Sequence, residues 1–332
     1  MSSITRRLAL ACVIGAGLAG TTRAAELKTL IVAEPVHGTG YLPLYVAIQK
    51  GFFAELGLEV KVLTIESGSG HTNAVLSGQA FAFIGGPEHN AFAKAKGAEL
   101  RAVVNVVDRG NVYFVAPKGK EPAPGQTMAE YFKGKTIAPG PFGGTPNSIT
   151  RYLLKKYNLD ATKDVTLVET TSSAVIAVVK TGQAQIGNTT EPFITRGIKE
   201  GIFGEPFLNI PKEMGPYAYS TLNVRLDSIL KDPDTVGKFV LGVSKGLAYT
   251  FANEQEAIRI AKKEFPTMSD EDLAATIRRS LADEMWSKDG SISRQAWTTG
   301  HAVVREANIL KQDVAYDEII DMRFLKGTAA NN

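Results

Sequence analysis

The sequence predicts an α/β fold made of two lobes, each a mostly parallel β-sheet with flanking helices. Two observations lead to this prediction. The tripeptide Gly-Gln-Ala ends a helical pattern and leads into a short apolar strand at residues 78–80, and the same arrangement returns at residues 182–184. Around each copy the patterns alternate in the order strand, helix, strand, helix, strand, which is typical of a parallel sheet. A repeat of about 100 residues is too long for a solenoid and fits two similar lobes.

The first copy begins with an apolar strand at residues 30–33 and a glycine-broken loop at residues 36–41. A helix with Pro43 in its first turn follows, because proline suits a position where the backbone N–H has no helical partner. The Ser-Gly-Ser-Gly turn at residues 67–70 opens the next helix, and residues 81–84 form the third strand. We expect these loops at the edge of the sheet where ligands of α/β proteins bind, since each follows a strand.

The second copy repeats this plan with a strand at residues 135–138, a glycine-rich turn at residues 140–145 and a further strand at residues 165–168. Gly57 in the first copy and Asn158 in the second end equivalent helices, because both residue types tolerate the left-handed backbone conformation. These helices are therefore expected to end at the same place in the two copies.

Strands outside the repeat are predicted to connect the lobes. Residues 112–115 cross towards the second lobe, and residues 217–224 return to the first, after which helical spacing continues along the chain. The later helices are expected to pack on the first lobe. We therefore divide the chain into a signal peptide, the first segment of lobe 1, lobe 2, and a mainly helical second segment of lobe 1, with bounds 1–24, 25–115, 116–212 and 213–332.

The composition is that of an exported globular protein. Of 332 residues, 44% are hydrophobic and 21% are charged, which is ordinary for a folded chain. Arg6 and Arg7 precede an apolar run that is too short to span a bilayer, and small residues near Ala24 fit a cleavage site. Sec and twin-arginine export both stay open. We expect a soluble periplasmic protein without a lipid anchor.

Charge and cysteine content exclude several classes of partner and site. The 37 basic and 34 acidic residues give +3, and the three arginines lost with the signal peptide bring this to 0. That balance offers no electrostatic attraction to nucleic acid or to an anionic membrane. The only cysteine, Cys12, lies in the signal segment, so the mature chain is expected to have no disulfide and no thiolate site.

Two glycine-rich turns open helices at equivalent places in the two copies, at residues 67–70 and 143–145. A helix start presents unpaired N–H groups and partial positive charge, so it can hold a carboxylate, a sulfonate or a phosphate without Lys or Arg. The alternative is that Ser69 and Thr145 only cap their helices. Their occurrence in both lobes favours anion binding.

No catalytic motif is complete. Residues 134–136 resemble the end of a phosphate-binding loop, but Ala129 stands where that loop requires glycine. The glycine pairs at residues 38–40 and 68–70 lack the third glycine of a dinucleotide-binding fingerprint. We expect neither catalysis nor a cofactor or metal.

Three of the four histidines, His37, His71 and His89, fall in loops on the expected cleft side of the first lobe. Histidines there can supply polar or cationic lining for a ligand. A metal triad formed by the three is the weaker alternative, because their spacing is not that of a zinc site. His301 lies near Trp297 on a predicted helix and is expected to be a packing or surface residue.

Glu88 and Glu191 follow equivalent strands in the two copies. Paired carboxylates can carry out acid–base catalysis, but each of these belongs to a different lobe. That separation favours a latch between the lobes or a role in structuring the loops.

Aromatic and crossover residues complete the candidates. Tyr41 and Phe142 lie in glycine-rich loops, which tend to be exposed, so either ring could stack on a ligand. Arg109 and Asn111 flank the glycine at the crossover between the lobes, where they fit either a hinge or ligand contacts.

Three stretches resemble solute-binding proteins of the nitrate/sulfonate/taurine type. They are Tyr-Leu-Pro-Leu-Tyr-Val-Ala-Ile-Gln-Lys-Gly-Phe-Phe at residues 41–53, Leu-Ser-Gly-Gln before Gly-Gly-Pro-Glu within residues 76–88, and Gly-Thr before Arg-Tyr-Leu-Leu within residues 144–154. The resemblance covers roughly residues 27–207. It implies a type II periplasmic binding protein of the pyrimidine-precursor-synthase-like superfamily, with a two-segment hinge between its lobes.

The resemblance also implies which loops line the pocket, and these loops extend the candidates drawn from the residues themselves. The predicted ligand-binding residues are His37, Thr39, Tyr41, Ser69, Gly70, His71, Gly86, Glu88, His89, Arg109, Phe142, Gly144, Thr145, Thr171, Ser172, Asn188 and Glu191.

The function implied by the resemblance is capture of a small organic anion, such as a sulfonate, taurine or an aromatic carboxylate. A monomer would deliver it to the permease and ATPase of an ABC importer. Nitrate, bicarbonate, or a pyrimidine or flavin precursor are alternative ligands. Two other classes remain as alternatives: a pyrimidine-synthase-like enzyme, which the lack of mature cysteine disfavours, and a soluble sensor.

Overall fold

The computed structural model describes residues 26–325. The predicted signal peptide and Cys12 lie outside the described residues. Within residues 26–325, no helix is both long enough and apolar enough to cross a membrane.

Two five-stranded sheets form the frame of the molecule, and both have the same topology. The strands are β1 Lys28–Glu34, β2 Leu58–Thr64, β3 Ala82–Gly85, β4 Leu100–Arg109, β5 Tyr113–Val115, β6 Thr136–Ala138, β7 Thr166–Leu167, β8 Ile186–Thr189, β9 Leu208–Asn209 and β10 Pro216–Arg225. The first sheet has the order β2-β1-β3-β10-β4, and the second has β7-β6-β8-β5-β9. The predicted α/β architecture of two similar lobes is confirmed.

The fourth strand of each sheet comes from elsewhere in the chain. In the first sheet β10 runs antiparallel to β3 and β4, and in the second sheet β5 runs antiparallel to β8 and β9. The chain therefore crosses between the sheets twice, from β4 into β5 and from β9 into β10. These two connections join the two sheets.

Helices cover both sheets. They are α1 Leu42–Gln49, α2 Gly70–Leu76, α3 Glu88–Lys94, α4 Met128–Phe132, α5 Thr145–Lys156, α6 Val175–Lys180, α7 Phe193–Lys199, α8 Ile210–Met214, α9 Leu226–Lys231, α10 Pro233–Ala252, α11 Glu254–Glu264, α12 Asp270–Ala282, α13 Arg294–Glu306 and α14 Tyr316–Ile319. Short 3₁₀ turns lie at Thr39–Tyr41, Ala54–Leu56 and Ser172–Ala174.

The sequence signals for helix ends are found at the predicted residues, with one difference. Asn158, with a φ of 58°, adopts the left-handed conformation just after α5, as predicted. Gly57, with a φ of 79°, closes the 3₁₀ turn Ala54–Leu56 instead, because α1 already ends at Gln49. Pro43 lies in the first turn of α1, as predicted. Left-handed residues therefore occur at corresponding places in the two copies, after a 3₁₀ turn in the first and after an α-helix in the second.

The C-terminal helices pack on the first sheet and also reach the second lobe. Helix α10 packs closely on α1, because a Cβ at Gly246 would lie 2.3 Å from the carbonyl oxygen of Pro43. Helices α13 and α12 contact α5 and α7 of the second lobe. Lys155 of α5 donates to the Glu306 carbonyl oxygen at 2.8 Å. These helices thus connect the two lobes as well as covering the first.

Candidate ligand cleft

A cleft with about 600 Å³ of unfilled space, part of it open to solvent, lies between the two sheets. It lies beyond the carboxyl ends of the parallel strands, as expected for an α/β fold. The first lobe and the crossover contribute Pro35, Val36, Tyr41, Glu66, Ser67, Gly68, His71, Gly85, Gly86, His89, Asn111, Tyr219 and Ser220. The second lobe contributes Pro141, Gly144, Thr145, Pro146, Thr171, Ser172 and Thr190.

Hydrogen bonds cross the cleft and hold the lobes together. Each donor is a hydroxyl group of the second lobe, and each acceptor belongs to the first lobe or to the crossover. The bonds are Thr145 Oγ1 to Glu88 Oε1 at 2.6 Å, Ser173 Oγ to Glu66 Oε2 at 2.7 Å, and Thr190 Oγ1 to Asn111 Oδ1 at 2.9 Å. The structure is therefore a closed form, in which both lobes contact the same space.

Glycine at position 68 allows this approach. A Cβ built on Gly68 would lie 1.9 Å from the carbonyl oxygen of Phe142 in the second lobe. That neighbour is backbone, which cannot rotate away as a long side chain can. The closed form therefore requires glycine here, whatever the ligand.

His71 presents a neutral imidazole to the cleft. Its side chain is buried, and neither ring nitrogen has a hydrogen-bond partner in the protein. Burial lowers the pKa of His71 well below its usual value, and the nearby His89 adds to this effect. A neutral imidazole can donate from one nitrogen and accept at the other, so His71 is equipped to recognise a ligand with a matching acceptor and donor.

His89 holds two loops of the cleft in place. Its Nδ1 lies 3.1 Å from the carbonyl oxygen of Gly86, and its Nε2 lies 3.1 Å from that of Gly68. The His89 ring packs against the His71 ring with a centroid distance of 4.7 Å. His89 thus fixes the backbone of both glycine loops under the ligand space.

Glu88 lies behind the lining of the cleft. One carboxylate oxygen accepts from Thr145, and the other, Oε2, is buried without a hydrogen-bond partner. Burial raises the pKa of Glu88. The carboxylate rests on Gly86, where a Cβ would lie 2.0 Å from Oε2. Glu88 therefore contacts the second lobe directly and the ligand space only through its neighbours.

Eight of the seventeen predicted site residues line the cleft together. They are Tyr41, His71, Gly86, His89, Gly144, Thr145, Thr171 and Ser172. They come from both sheets and from separate loops, which the closed form brings to one place.

Two predicted residues near the end of β1 lie beside the cleft rather than in its wall. His37 Nδ1 is 2.9 Å from Glu34 Oε1, and its ring packs on Phe265. The hydrogen bond to Glu34 raises the pKa of His37. Thr39 is fully buried, and its hydroxyl oxygen has no partner in the protein.

In the turn before α2, the structure places different residues in the wall from those predicted. Ser69 and Gly70 do not line the cleft, whereas Ser67 and Gly68 do. Ser67 Oγ accepts from the Gly70 N–H at 2.6 Å, and Ser69 makes no side-chain cap. The turn is thus closed by Ser67.

Two predicted residues of the second lobe are engaged within that lobe. The Asn188 amide donates to the Pro146 carbonyl oxygen and to Thr150 Oγ1, both at 3.0 Å. Phe142 is 60% exposed, and the Arg151 guanidinium lies 5.4 Å from its ring centre.

The remaining two predicted residues pair with charged side chains. Glu191 accepts from the N–H and the hydroxyl of Thr195 and lies 3.2 Å from Arg279 Nε. Arg109 pairs with Asp108 and with Glu284. Neither lines the cleft, so both contribute to the arrangement of loops around it.

The lining carries no fixed positive charge from Lys or Arg within the part of the chain that the structure describes. Arg151 pairs with Glu169, and Arg279 pairs with Glu191 and Glu205. One carboxylate, Glu66, belongs to the lining. The main groups offered to a ligand are aromatic rings, hydroxyls, backbone groups and imidazoles.

The profile of the family described as NMT1/THI5 like matches residues 39–257. The chain belongs to the NMT1/THI5-like family. The matched segment contains every lining residue of the cleft except Pro35 and Val36. The resemblance to importer solute-binding proteins that residues 41–53 carry is thereby confirmed.

Two relatives extend over most of the chain. The putative binding protein YtlA of Bacillus subtilis (strain 168) is 27% identical over 323 residues, covering 95% of each chain. The riboflavin-binding protein RibY of Chloroflexus aurantiacus is 26% identical over 301 residues, covering 86% of this chain and 83% of RibY.

A solved structure shows the same fold. The alkanesulfonate-binding protein SsuA from Xanthomonas axonopodis pv. citri, bound to MOPS, superimposes with a TM-score of 0.72 at 16% identity. The match covers 90% of this chain and all of SsuA. The chain therefore has the fold of the periplasmic solute-binding proteins of ABC-type importers.

Several lining residues were not predicted from the sequence, namely Pro35, Val36, Glu66, Ser67, Gly68, Gly85, Pro141, Pro146, Thr190, Tyr219 and Ser220. Most of them adjoin predicted residues in the same loops. Tyr219 and Ser220 are different, because β10 inserts into the first sheet after the chain has left it. Only the pairing of β10 with β3 and β4 brings them to the cleft.

Proposed function

We propose that the protein is an exported solute-binding protein that captures a small organic molecule between its lobes and delivers it to an ABC importer. The observation that carries the proposal is a cleft lined by loops from both sheets and bridged by the Thr145–Glu88 hydrogen bond. The family match and the fold support it. In this proposal the partners are a permease and its ATPase, and no bond of the ligand is broken.

The mechanism follows from the two crossover connections. Rotation about the β4–β5 and β9–β10 connections opens the cleft without disturbing either sheet. A ligand favours the closed form because only that form surrounds it with groups from both lobes. The importer would then recognise the closed shape.

The lining favours a ligand without net negative charge. No Lys or Arg of residues 26–325 lines the cleft, His71 is neutral, and Glu66 adds a negative charge. An uncharged or zwitterionic organic molecule with a planar body suits Tyr41 and Tyr219 together with these groups. The riboflavin-binding relative agrees with this choice.

A small organic anion, as predicted from the sequence, is the second candidate. Helix α5 begins at the cleft with Gly144 and Thr145, and its first N–H groups carry partial positive charge. The likeness to SsuA supports this candidate in fold only. The Glu88 carboxylate already bonds to Thr145 at this helix start, which weakens the attraction for a second negative group.

Ligand screening by thermal shift tests both the function and the ligand charge. The compounds are riboflavin, taurine, an alkanesulfonate, benzoate, bicarbonate and nitrate. A ligand present at 100 times its Kd stabilises the folded protein by about 2.7 kcal/mol. X-ray scattering should then show compaction with each compound that stabilises the protein. A protein that neither gains stability nor compacts with any small molecule contradicts the proposal.

Gly144→Asp separates the two candidates. A negative side chain at the start of α5 should weaken binding of an anion and leave an uncharged ligand within about threefold of its original Kd. The backbone of Gly144 has a φ of −86°, which other residues adopt readily, so the change tests charge more than strain. Gly144→Asn is the uncharged control. Titration calorimetry with the ligand found by screening measures both variants.

A further inference from the structure

We propose that closing the cleft binds a proton on the Glu88–His89 pair, so that capture of the ligand strengthens as the pH falls. The inference rests on the lobe closure proposed above and adds a means of regulating it. The pair lies directly after β3, where α3 begins, and both residues are buried.

The hydrogen bonds of His89 require a proton on each ring nitrogen. Nδ1 faces the Gly86 carbonyl oxygen and Nε2 faces the Gly68 carbonyl oxygen, each at 3.1 Å. Carbonyl oxygens only accept, so both bonds form only when the ring is an imidazolium with two N–H groups. A neutral ring would turn one nitrogen lone pair towards a carbonyl lone pair.

Glu88 supplies the matching negative charge. Its Oε1 lies 3.9 Å from His89 Nδ1 and accepts from Thr145, while Oε2 has no partner. A buried, ionised carboxylate with one oxygen left without a hydrogen bond destabilises the fold, unless a positive charge lies near it or the carboxylate takes up a proton. The proton that completes the second hydrogen bond of the His89 ring also supplies the positive charge next to Glu88, so the two residues act as a pair.

The surroundings of the pair do not supply another compensating charge. Tyr41, Tyr217 and Tyr219 face Glu88 from the first 3₁₀ turn and from β10, with neutral hydroxyls. His71 packs on His89 and is neutral. Among residues 26–325, no lysine or arginine forms an ion pair with Glu88.

Both residues of the pair are tied to the second lobe. Thr145 of α5 donates to Glu88, and Gly68, the acceptor for His89, contacts the Phe142 carbonyl. Opening the cleft withdraws Thr145 and admits water, which solvates the ionised carboxylate. The open form therefore binds the proton less tightly than the closed form, so closure becomes more favourable as the pH falls. For one proton, the closed-to-open ratio can change by up to about tenfold per pH unit.

Electron spin resonance distances between the lobes test the inference without a known ligand. Lys61→Cys on β2 and Lys163→Cys in the second lobe place spin labels on exposed positions, in a Cys12→Ser background that removes the only native cysteine. The closed fraction should rise severalfold from about pH 8 to about pH 5. Glu88→Gln and His89→Gln should each flatten this response, since either change removes the coupled site.

Two further variants complete the design. Thr145→Val should weaken the pH response by removing the bond between Glu88 and the second lobe. Glu200→Gln, an exposed carboxylate that pairs with Arg196 within the second lobe, should preserve it. A wild-type closed fraction that is constant with pH overturns the inference, as does an undiminished response in both Glu88→Gln and His89→Gln. Ligand-driven compaction that is independent of pH would leave the proposed function standing and remove only this inference.

Discussion

The two lobes have the same sheet topology but present different chemistry to the cleft. The first lobe supplies rings and titratable groups, among them Tyr41, His71 and His89. The second supplies prolines, a glycine and hydroxyls, such as Pro141, Gly144 and Thr171. The duplicated scaffold thus fixes where the loops lie. The residues within the loops differ, so that the first lobe recognises the ligand and the second, the covering lobe, closes over it.

The two glutamates that follow equivalent strands show the same division. Glu191, in the second lobe, has its carboxylate bound by Thr195 and Arg279. Glu88, in the first lobe, has one oxygen bound across the cleft and one without a partner. Both carboxylates therefore contact the other lobe, Glu191 through Arg279 of α12 and Glu88 through Thr145, but only Glu88 keeps an oxygen without a hydrogen-bond partner.

Gly68→Ala should have the largest effect, because it prevents the covering lobe from reaching the first. The added methyl group would lie 1.9 Å from the Phe142 carbonyl oxygen. We expect ligand affinity to fall by about 100-fold or more, with thermal stability of the ligand-free protein nearly unchanged. Gly237→Ala in α10 is the control, since the added methyl group would lie 3.7 Å from a ring carbon of Phe324, an ordinary contact distance. Wild-type affinity in Gly68→Ala would show that the lobes need not approach this closely.

His71→Leu should reduce ligand affinity by about tenfold, because the change removes two buried ring nitrogens that have no partner in the protein and lie in the cleft lining. Thr171→Val is the matched change in the opposite wall of the cleft, which the second lobe forms. It should lower ligand affinity by less than about threefold. Titration calorimetry with the ligand found by screening measures both. Equal losses would break the division between a recognising lobe and a covering lobe.

Glu191→Gln should lower the free energy of unfolding by about 1–3 kcal/mol, since it weakens two hydrogen bonds and the pairing with Arg279. Glu88→Gln should cost less than about 1 kcal/mol, because the amide oxygen still accepts from Thr145. Urea unfolding at neutral pH gives both values. A larger loss for Glu88→Gln would reverse the comparison between the two carboxylates.

His37→Asn should have the smallest effect, and only in acid. The hydrogen bond to Glu34 raises the pKa of His37, so the ionised ring stabilises the fold below its unfolded pKa. This contribution disappears as the pH rises through the folded pKa. The variant should be less stable than wild type by under about 1 kcal/mol near pH 5.5 and equal to it above about pH 8, because the ring is partly exposed. Urea unfolding at the two pH values checks this, and a difference confined to high pH would contradict it.

Local sequence signals were sufficient for the strands of the repeat and for the loops that carry the cleft, but not for β9 or for the end of α1. They could not show which residues of a turn face the cleft. In the turn before α2, for example, Ser69 was predicted to line the cleft, but Ser67 does so instead. They also gave no sign of Tyr219 and Ser220, because a strand donated from a distant segment has a register that depends on its partners. The reach of α13 to α5 is likewise a tertiary contact that helical spacing cannot reveal.

The exchange of β5 and β10 between the sheets has a consequence for how the protein is made. The first sheet is complete only after residues 216–225 have been synthesised. All strands of the second sheet have been synthesised before that point. A chain halted or cut between the two sheets would leave an unfilled slot between β3 and β4, with bare backbone groups on both sides. Supplying the missing C-terminal fragment in trans should fill that slot, so this architecture is suited to assembly from two separately expressed pieces.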